Sequence, residues 1–354
     1  MMDHWKYYQG KTILVTGGAG AIGSNLTRAL AEAGAAKVIV FDDLSSAQRW
    51  NVPSLPNVLA VEGSILDEVE LKRVFFEEPE IVFHLAALFA NQNSIDHPEH
   101  DLLVNGLGTL KLLQYSHLAR VDRFVYASSG CSIYGSNAPL PLKEEFVSIH
   151  LSSPYQITKM LGELYCNFFY NHYGLKTVRP RFFNSYGPGE VPGQYRNVIP
   201  NFIYLAMQGK PLPVTGTGDE TRDFTYVGDV AEGLLKAGYS EQAIGQEFNL
   251  ASGDETRIVD LANLINKLTN NEAGLIFTER RKWDTKTRLL ASIDKARELI
   301  DYNPKTSFEQ GIQQTIGWFE EKWDLIQASA SFGPGMSSAV RGYVAEDMTK
   351  GANG

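Results

Sequence analysis

Cysteine is nearly absent from this chain, which has only Cys131 and Cys166 among its 354 residues. Two cysteines cannot form the disulfide framework of a small secreted domain, and they offer no zinc-ligand pattern. No apolar run approaches the roughly 18 residues of a membrane span. The first eight residues also lack the apolar core of a signal peptide. We therefore expect a cytoplasmic protein with no metal and no membrane attachment.

Positive charge is also in deficit. The 32 lysines and arginines are outnumbered by 41 aspartates and glutamates, which gives a formal net charge of −9. This charge offers no general attraction to nucleic acid or to an anionic membrane, although a local basic pocket for an anionic substrate is compatible with it. The length predicts two domains or one large α/β unit.

Glycine is placed where a nucleotide-binding turn needs it. The apolar run Ile13–Val15 reads as a strand buried on both faces, and residues 24–33 have helical character. Gly17, Gly20 and Gly23 lie between them. In this context the first glycine makes a tight turn, the second admits a pyrophosphate, and the third lets helix and strand pack closely. The helix start favours a phosphate, although an ordinary glycine-rich turn remains the alternative for the triplet by itself.

A second buried strand, residues 37–41, ends at Asp42. An acidic residue about 20 positions beyond such glycines can bind the adenosine ribose hydroxyls and would repel a 2′-phosphate. Asp42 therefore favours NAD over NADP.

Strands and helices then alternate, which predicts a Rossmann-type doubly wound parallel sheet. The further strands are expected at residues 58–62, 81–87, 123–127 and 176–184. Ligands lie at the carboxyl ends of strands in such sheets. The glycine loop, Asp42, residues 85–88 and residues 128–132 should accordingly share one edge.

A long helix is predicted from Ser152 to about Tyr170. Tyr155 and Lys159 are four positions apart and hence on one face of it. Tyrosine normally ionises near pH 10, and a nearby lysine favours the phenolate, so the pair can exchange a proton with a sugar hydroxyl. With NAD in the same cleft, this pair suits oxidation of an alcohol.

Composition changes after residue 185, where βα alternation ends. We expect an NAD-binding domain at 11–185 that includes the tyrosine–lysine helix, and a smaller, mixed lobe at 186–325 that binds mainly the substrate. Residues 326–354, rich in Ala, Ser and Gly, are expected to be a disordered tail.

Together these motifs resemble the extended short-chain dehydrogenase/reductases, specifically the nucleotide-sugar epimerases and dehydratases, over about residues 11–319. The matching stretches are Thr16–Gly23, Asp42, Phe83–Ala87, Asn105–Thr109, Ser128–Ser129, Ser153–Lys159, Arg181–Pro188 and Thr221–Asp229.

The resemblance implies residue roles and partners. The cofactor would contact Ala21, Ile22, Ser46, Ser64, Ile65, Leu85, Ala86, Ala87, Asn105, Tyr155, Lys159 and Phe182, and the substrate would contact Ser129, Ser132, Asn184, Val198, Pro200, Thr215 and Arg222. Ser64 replaces the family's usual aspartate, which puts one adenine contact in doubt. The substrate would be a nucleoside-diphosphate sugar, with UDP the first choice. A homodimer is implied through the helices expected at 102–118 and 155–170.

A second phosphate-binding arginine is usual in the family, within Arg-Pro-Gly-Asp. Here Arg281 begins a similar stretch without Pro-Gly, and Arg288 follows. Arg281 is preferred, with Arg288 as the alternative, and solvated surface charge is the other interpretation of both.

The largest departure from the family lies around Gly130. If the family's spacing is counted back from Tyr134, the residue whose hydroxyl should partner Tyr155 is Gly130, which has no hydroxyl. Counting forward from the strand gives that role to Ser129 and turns Cys131 toward the sugar. We favour the second count. Cys131 is then a candidate acid/base if the site lowers its pKa, and a small buried apolar residue otherwise.

The reaction follows from what residues 130–132 lack. Dehydratases and decarboxylases of the family carry an acid there, and this chain has no carboxylate. The simplest prediction is 4-epimerisation of a UDP-hexose or UDP-uronate through a transient 4-keto sugar. The runner-up is a dehydratase or a 3,5-type epimerase that uses Cys131 as acid/base. A non-catalytic NAD-sensing or scaffold protein is the third alternative, opposed by Ser129, Tyr155 and Lys159.

Overall fold

A computed structural model describes residues 4–135, 137–280 and 286–332. Arg281 and most of the expected tail lie outside these ranges.

Fourteen strands are present in the described part of the chain. They are β1 Thr12–Thr16, β2 Lys37–Asp42, β3 Val58–Glu62, β4 Ile81–His84, β5 Arg123–Tyr126, β6 Ser128–Ser129, β7 Thr177–Phe182, β8 Ser185–Tyr186, β9 Leu212–Thr215, β10 Thr221–Arg222, β11 Thr225–Tyr226, β12 Glu247–Leu250, β13 Thr256–Arg257 and β14 Leu275–Thr278.

The α-helices of the described ranges also number fourteen. They are α1 His4–Tyr7, α2 Ala21–Glu32, α3 Glu68–Phe75, α4 Asn91–Asp96, α5 Pro98–Asp101, α6 Thr109–Leu118, α7 Gly130–Ile133, α8 Pro154–Tyr173, α9 Val198–Met207, α10 Val227–Tyr239, α11 Ile258–Leu268, α12 Asp294–Ile300, α13 Phe308–Glu321 and α14 Trp323–Ser329. A 3₁₀ turn spans Arg49–Asn51 and a π-helical segment spans Leu102–Gly108.

The main sheet has the order β12-β7-β5-β4-β1-β2-β3, with β6 paired to β7, and every pairing in it is parallel. The expected Rossmann-type doubly wound sheet is confirmed. The chain leaves β1 toward β2 on one side and later returns to β4 on the other. The crevice between β1 and β4 is therefore the topological switch point where ligands bind in such sheets.

The strands are apolar on both faces because both faces are covered. In β1, Ile13 and Val15 enter one core cluster while Leu14 enters the other. Helices α2 and α10 supply the first cluster, and α3, α6 and α8 supply the second. This double cover explains why β1 shows no polar alternation.

The second lobe has its own core, made chiefly by α9, α11 and α13. Its chain is not confined to that lobe, because β12 pairs with β7 and α10 packs on α2. Residue 185 therefore does not divide the structure cleanly, and the functional division placed there stays a prediction.

The ordered chain extends further than the expected start of the tail at 326. Helix α14 continues to Ser329, whose hydroxyl accepts a hydrogen bond from Trp50 Nε1 at 3.1 Å. Ser331 then pairs with the loop at Gly193. The first residues of the expected tail, 326–329, thus complete a helix, and its last residue is held by Trp50. Across the described ranges, no helix combines the length and apolarity that a membrane crossing requires.

Candidate active site

The glycine loop joins β1 to α2 as its spacing predicts. Gly17 has φ +68°, and a Cβ there would lie 2.6 Å from the Ala86 nitrogen. A Cβ on Gly23 would lie 2.2 Å from the Gly17 oxygen. Only glycine fits at these two positions, so the loop is pressed against both its own helix and the segment that follows β4.

The start of α2 is suited to a diphosphate. Gly20 is the N-cap residue and offers no side-chain cap, so the first-turn amides are available to a ligand together with the positive end of the helix dipole. Beside it, the Ala19 amide donates to Asp42 Oδ2 at 3.0 Å and the Leu44 amide donates to Oδ1 at 2.9 Å. Asp42 thus fixes the loop and retains lone pairs for ribose hydroxyls. These residues fit a bound dinucleotide.

Arg196 lies near Asp42, which sequence reasoning did not anticipate. Its guanidinium donates to the Ser46 carbonyl, and its charge opposes the effect of burial, which raises the pKa of Asp42. Burial in turn lowers the pKa of Arg196. An arginine of the second lobe therefore reaches the cofactor half of the molecule.

The predicted catalytic residues come together at the carboxyl end of β5. Ser153 caps α8 by accepting from the Gln156 amide, which sets Tyr155 and Lys159 on the first turns. Lys159 Nζ donates to the Ala127 carbonyl at 2.9 Å and lies 5.7 Å from the centre of the Tyr155 ring. Ser129 makes a polar contact with Tyr155 that favours the phenolate.

The expected lowering of the Tyr155 pKa is not found, because burial outweighs the nearby polar groups and raises that pKa well above its usual range. Burial also lowers the pKa of Lys159 to about 8. Both charged forms lose solvation in the same closed pocket, which the sequence could not show.

Phe183 packs directly against Gly130, the position on which the two counts differ. A Cβ on Gly130 would lie 1.9 Å from Phe183 Cε2, so this position faces the packed core and admits no side chain. Ser129, by contrast, faces Tyr155, and its Oγ lies 2.9 Å from Ser132 Oγ. The geometry agrees with the forward count, in which Ser129 is the hydroxyl partner.

Cys131 does not meet the condition set for acid/base chemistry. Its thiol donates to Asn184 Oδ1 at 3.1 Å, and burial raises its pKa. Lys286 and Arg222 oppose that rise without overcoming it, and Lys286 Nζ also donates to the Cys131 carbonyl at 2.8 Å. Cys166, on α8, is fully buried in the core that this helix shares with α3 and α6.

One cleft of about 950 Å³ joins these groups and extends between the two lobes. The predicted residues that line it are Gly17, Gly20, Ala21, Ile22, Gly23, Asp42, Ser46, Ile65, Leu85, Ala86, Ala87, Ser129, Cys131, Ser132, Tyr155, Lys159, Phe182, Asn184, Val198, Thr215 and Arg222. Among the described residues, no group of three or more His, Cys, Asp or Glu side chains could hold a metal ion.

Four predicted site residues do not line the cleft. Ser64 Oγ accepts from the Leu66 amide and stabilises a turn. Asn105 is buried and binds the Leu88 backbone instead. Pro200 is buried in α9, and the exposed Arg288 pairs with Glu255. Arg281, the preferred second arginine, lies outside the described residues.

Several cleft residues were missed, notably Glu190, Arg196, Arg280 and Lys286. Glu190 and Arg196 lie on the 189–197 loop, and Arg280 and Lys286 lie on either side of residues 281–285 in the sequence. Neither stretch has a strand or helix periodicity from which the direction of a side chain could be predicted. Burial raises the pKa of Glu190 to about 7. The Gly/Pro-rich composition of residues 186–193 was the one available signal that this loop is special.

The fold and the cleft together define a dinucleotide-dependent enzyme. The chain belongs to the NAD-dependent epimerase/dehydratase family, whose model matches residues 13–251. The resemblance to nucleotide-sugar epimerases and dehydratases is confirmed, and so is NAD as the expected cofactor.

Individual relatives agree with this assignment. The chain is 34% identical to a UDP-glucose 4-epimerase of Mycolicibacterium smegmatis, over 87% of this chain and 98% of that protein. The structure of the epimerase Mth375 from Methanothermobacter thermautotrophicus is similar at a TM-score of 0.92, with 57% identity, and covers 94% of this chain and 98% of its own. Bordetella bronchiseptica WbmF, solved with NAD+ and UDP, is similar at a TM-score of 0.81, with 37% identity, over 92% of this chain and 96% of its own.

Proposed function

We propose that this protein is an NAD-dependent 4-epimerase of nucleoside-diphosphate sugars, with a UDP-hexose or UDP-uronate as substrate. The observation that carries the proposal is the meeting of Ser129, Tyr155 and Lys159 in one cleft with the glycine loop, with no carboxylate at residues 130–132. The M. smegmatis relative, named for UDP-glucose, and the UDP in the WbmF structure support the substrate class.

The chain's own residues provide a binding site for the cofactor. The first-turn amides of α2 would hold the pyrophosphate, and Asp42 would accept the adenosine ribose hydroxyls. Leu85–Ala87 and Phe182 would line the nicotinamide end. Bound NAD supplies a hydride acceptor and donor at the sugar, and a positive charge next to the tyrosine.

Proton transfer is then the task of Tyr155. The phenolate would remove the proton of the 4-hydroxyl, and the phenol would later return a proton to that same oxygen, once the 4-keto sugar presents the opposite face of C4 to the hydride donor. Ser129 contacts the phenol oxygen, and the ammonium of Lys159, 5.7 Å from the centre of the ring, would stabilise the phenolate. Because burial makes the phenolate costly, Tyr155 stays protonated until a positive charge enters the cleft. Tyr155 would therefore not ionise before the cofactor is bound.

The other end of the cleft is cationic. Arg222, Arg280 and Lys286 all line it; Arg222 ends β10, and the other two follow β14 in the sequence. Guanidinium groups match phosphate oxygens in geometry and charge. This end therefore suits the diphosphate, with Val198 and Thr215 nearby to enclose the base.

The runner-up, a dehydratase or 3,5-type epimerase, needs Cys131 as acid/base. The hydrogen bond to Asn184 and the raised thiol pKa disfavour it. The scaffold alternative leaves Ser129, Tyr155 and Lys159 without a role.

A homodimer is the proposed assembly. The π-helical segment and α8 expose the apolar side chains Leu102, Leu107, Leu164 and Phe168, as an interface built from these helices requires. Size-exclusion chromatography with light scattering tests this. L164E should give monomers, whereas V69E, at an exposed position of α3, should not.

We also propose a cytoplasmic location, which cell fractionation would check.

Activity is tested by incubating the protein separately with UDP-glucose, UDP-GlcNAc and UDP-glucuronate and following the sugar by NMR. A 4-epimerase should invert C4 without incorporating solvent deuterium at carbon, whereas the runner-up should incorporate it. C131A should keep most activity and Y155F should lose it. Unchanged sugars across UDP, GDP, dTDP and CDP donors would exclude the proposal.

A further inference from the structure

Asp101 is a fully buried carboxylate beside the catalytic helix, and the mechanism above does not use it. It is the last residue of α5 and directly precedes the π-helical segment. Thr158 Oγ1 donates to its Oδ2 at 2.7 Å, and Asn105 Nδ2 donates to its Oδ1 at 2.7 Å. Both donors are neutral, so these contacts solvate the carboxylate without cancelling its charge. Burial raises the pKa of Asp101, and the hydrogen bond from Thr158 and the charge of Lys159 oppose that rise.

The same contacts connect two parts of the cleft. Thr158 is the neighbour of Lys159 on α8. Asn105 also exchanges hydrogen bonds with the Leu88 backbone, at 2.8 Å to its nitrogen and 3.1 Å to its oxygen. Leu88 belongs to the segment after β4 that lines the nicotinamide end. Asp101 thus holds the catalytic helix and the cofactor-side segment in one arrangement.

Lys159 needs a counter-charge, because it is buried and its Nζ donates to a neutral carbonyl. The ionisable groups that act on it or contact it in the described ranges are Asp101 from α5, Tyr155, Glu163 and Cys166 from α8, His84 from β4 and Tyr126 from β5.

All but one of these groups are neutral or already paired. Burial raises the pKa values of Tyr126, Tyr155 and Cys166, and it lowers the pKa of His84 to about 3, so none of the four is charged at neutral pH. Glu163 accepts from Arg181 with both carboxylate oxygens, at 2.8 and 2.7 Å.

We propose that Asp101 is a positioning residue whose buried charge keeps Lys159 in its ammonium form during turnover. The inference rests on the proposed function, because it concerns the same reaction. A lysine with this burial and no nearby anion would lose its proton closer to neutral pH, and the phenolate of Tyr155 would then lose its stabilising partner. The charge of Asp101 also disfavours that phenolate, so the site balances the two effects.

The test is the pH profile of kcat in D101N, a substitution that keeps the shape and removes the charge. We expect the alkaline limb to move down by about one pH unit, and the rate at pH 8.5 to fall about tenfold. T158V is the matched control, since it removes a hydrogen bond to the same carboxylate and keeps the charge. It should lower the rate without moving the limb.

A second comparison isolates the route through Lys159. In the K159M background, adding D101N should cost little further activity, because the pair then no longer interacts. If D101N alone does not fold, D101N/K159M should, since it removes both opposite charges. Failure of both to fold would make Asp101 a packing residue and overturn the proposal.

Two failures are distinguishable. If the unmodified enzyme turns over but D101N and T158V show the same limb, the assignment of Asp101 is wrong and the epimerase function stands. If the unmodified enzyme converts no nucleotide sugar, the proposed function itself is wrong.

Discussion

Gly130 offers a sharp test of how the reaction centre is built. In G130A, the new Cβ would stand 1.9, 2.4 and 2.7 Å from three atoms of the Phe183 ring, against ordinary contacts of 3.4–4 Å. Phe183 is fully buried and stacks on Tyr134, to which Arg181 donates at 3.0 Å, so the ring cannot simply move aside. We expect a loss at the upper end of the overpacking range, about 3 kcal/mol.

A loss of this size should lower Tm by about 5 °C or more, measured by differential scanning calorimetry. The matched control is G317A on α13, where an added Cβ meets nothing within 4 Å. G317A should be neutral or slightly stabilising, since alanine favours helix. The same reasoning predicts that S129A loses about 100-fold in kcat and that G130S does not rescue it. A G130A protein as stable as G317A, or rescue of S129A by G130S, would refute this account.

Three further outcomes are expected. E190Q should raise Tm at pH 8 but not at pH 4. Burial raises the pKa of Glu190 to about 7 in the folded state, so the wild-type protein loses stability as the pH rises from the ordinary glutamate pKa to that value. An equal difference in Tm between E190Q and wild type at the two pH values would count against this. R222A should raise KM for a nucleotide sugar by about tenfold or more. R288A should change KM by less than about twofold, because the exposed Arg288 pairs with Glu255. Initial-rate kinetics would check both values. NAD should copurify with the protein and be released by acid denaturation, since a cofactor that takes and returns a hydride need not leave, and protein purified without bound nucleotide would contradict this.

Local spacing was sufficient to predict the parts of the site that follow directly from a strand or a helix. Gly17 and Gly23 were predicted from a strand–turn–helix pattern, and Tyr155 and Lys159 from a separation of four on one helix. Ser129 was assigned over Gly130 only by default, and the physical reason is the distant Phe183, 53 positions later in the sequence. Only the fold brings these residues into contact.

Other features had no sequence signal. Arg196 reaches Ser46 across 150 positions, and Lys286 reaches Cys131 across 155. Both belong to segments with no regular period. Of the helix predicted at 102–118, residues 102–108 are π-helical, with Asn105 buried within that segment. The pKa shifts likewise depend on burial, which only the packed structure reveals.

The return of α10 and β12 to the first half of the molecule bears on how the protein is made. Tyr8 donates a hydrogen bond to the Leu235 carbonyl, 227 positions away, and Leu26 and Leu30 share a core with Val230 and Leu234. While the ribosome is still synthesising the middle of the chain, one face of the sheet therefore lacks its cover. The cofactor-binding half should reach its final stability only after residue 250 has emerged, so a fragment ending at 185 should aggregate or bind chaperones rather than fold as an independent nucleotide-binding unit.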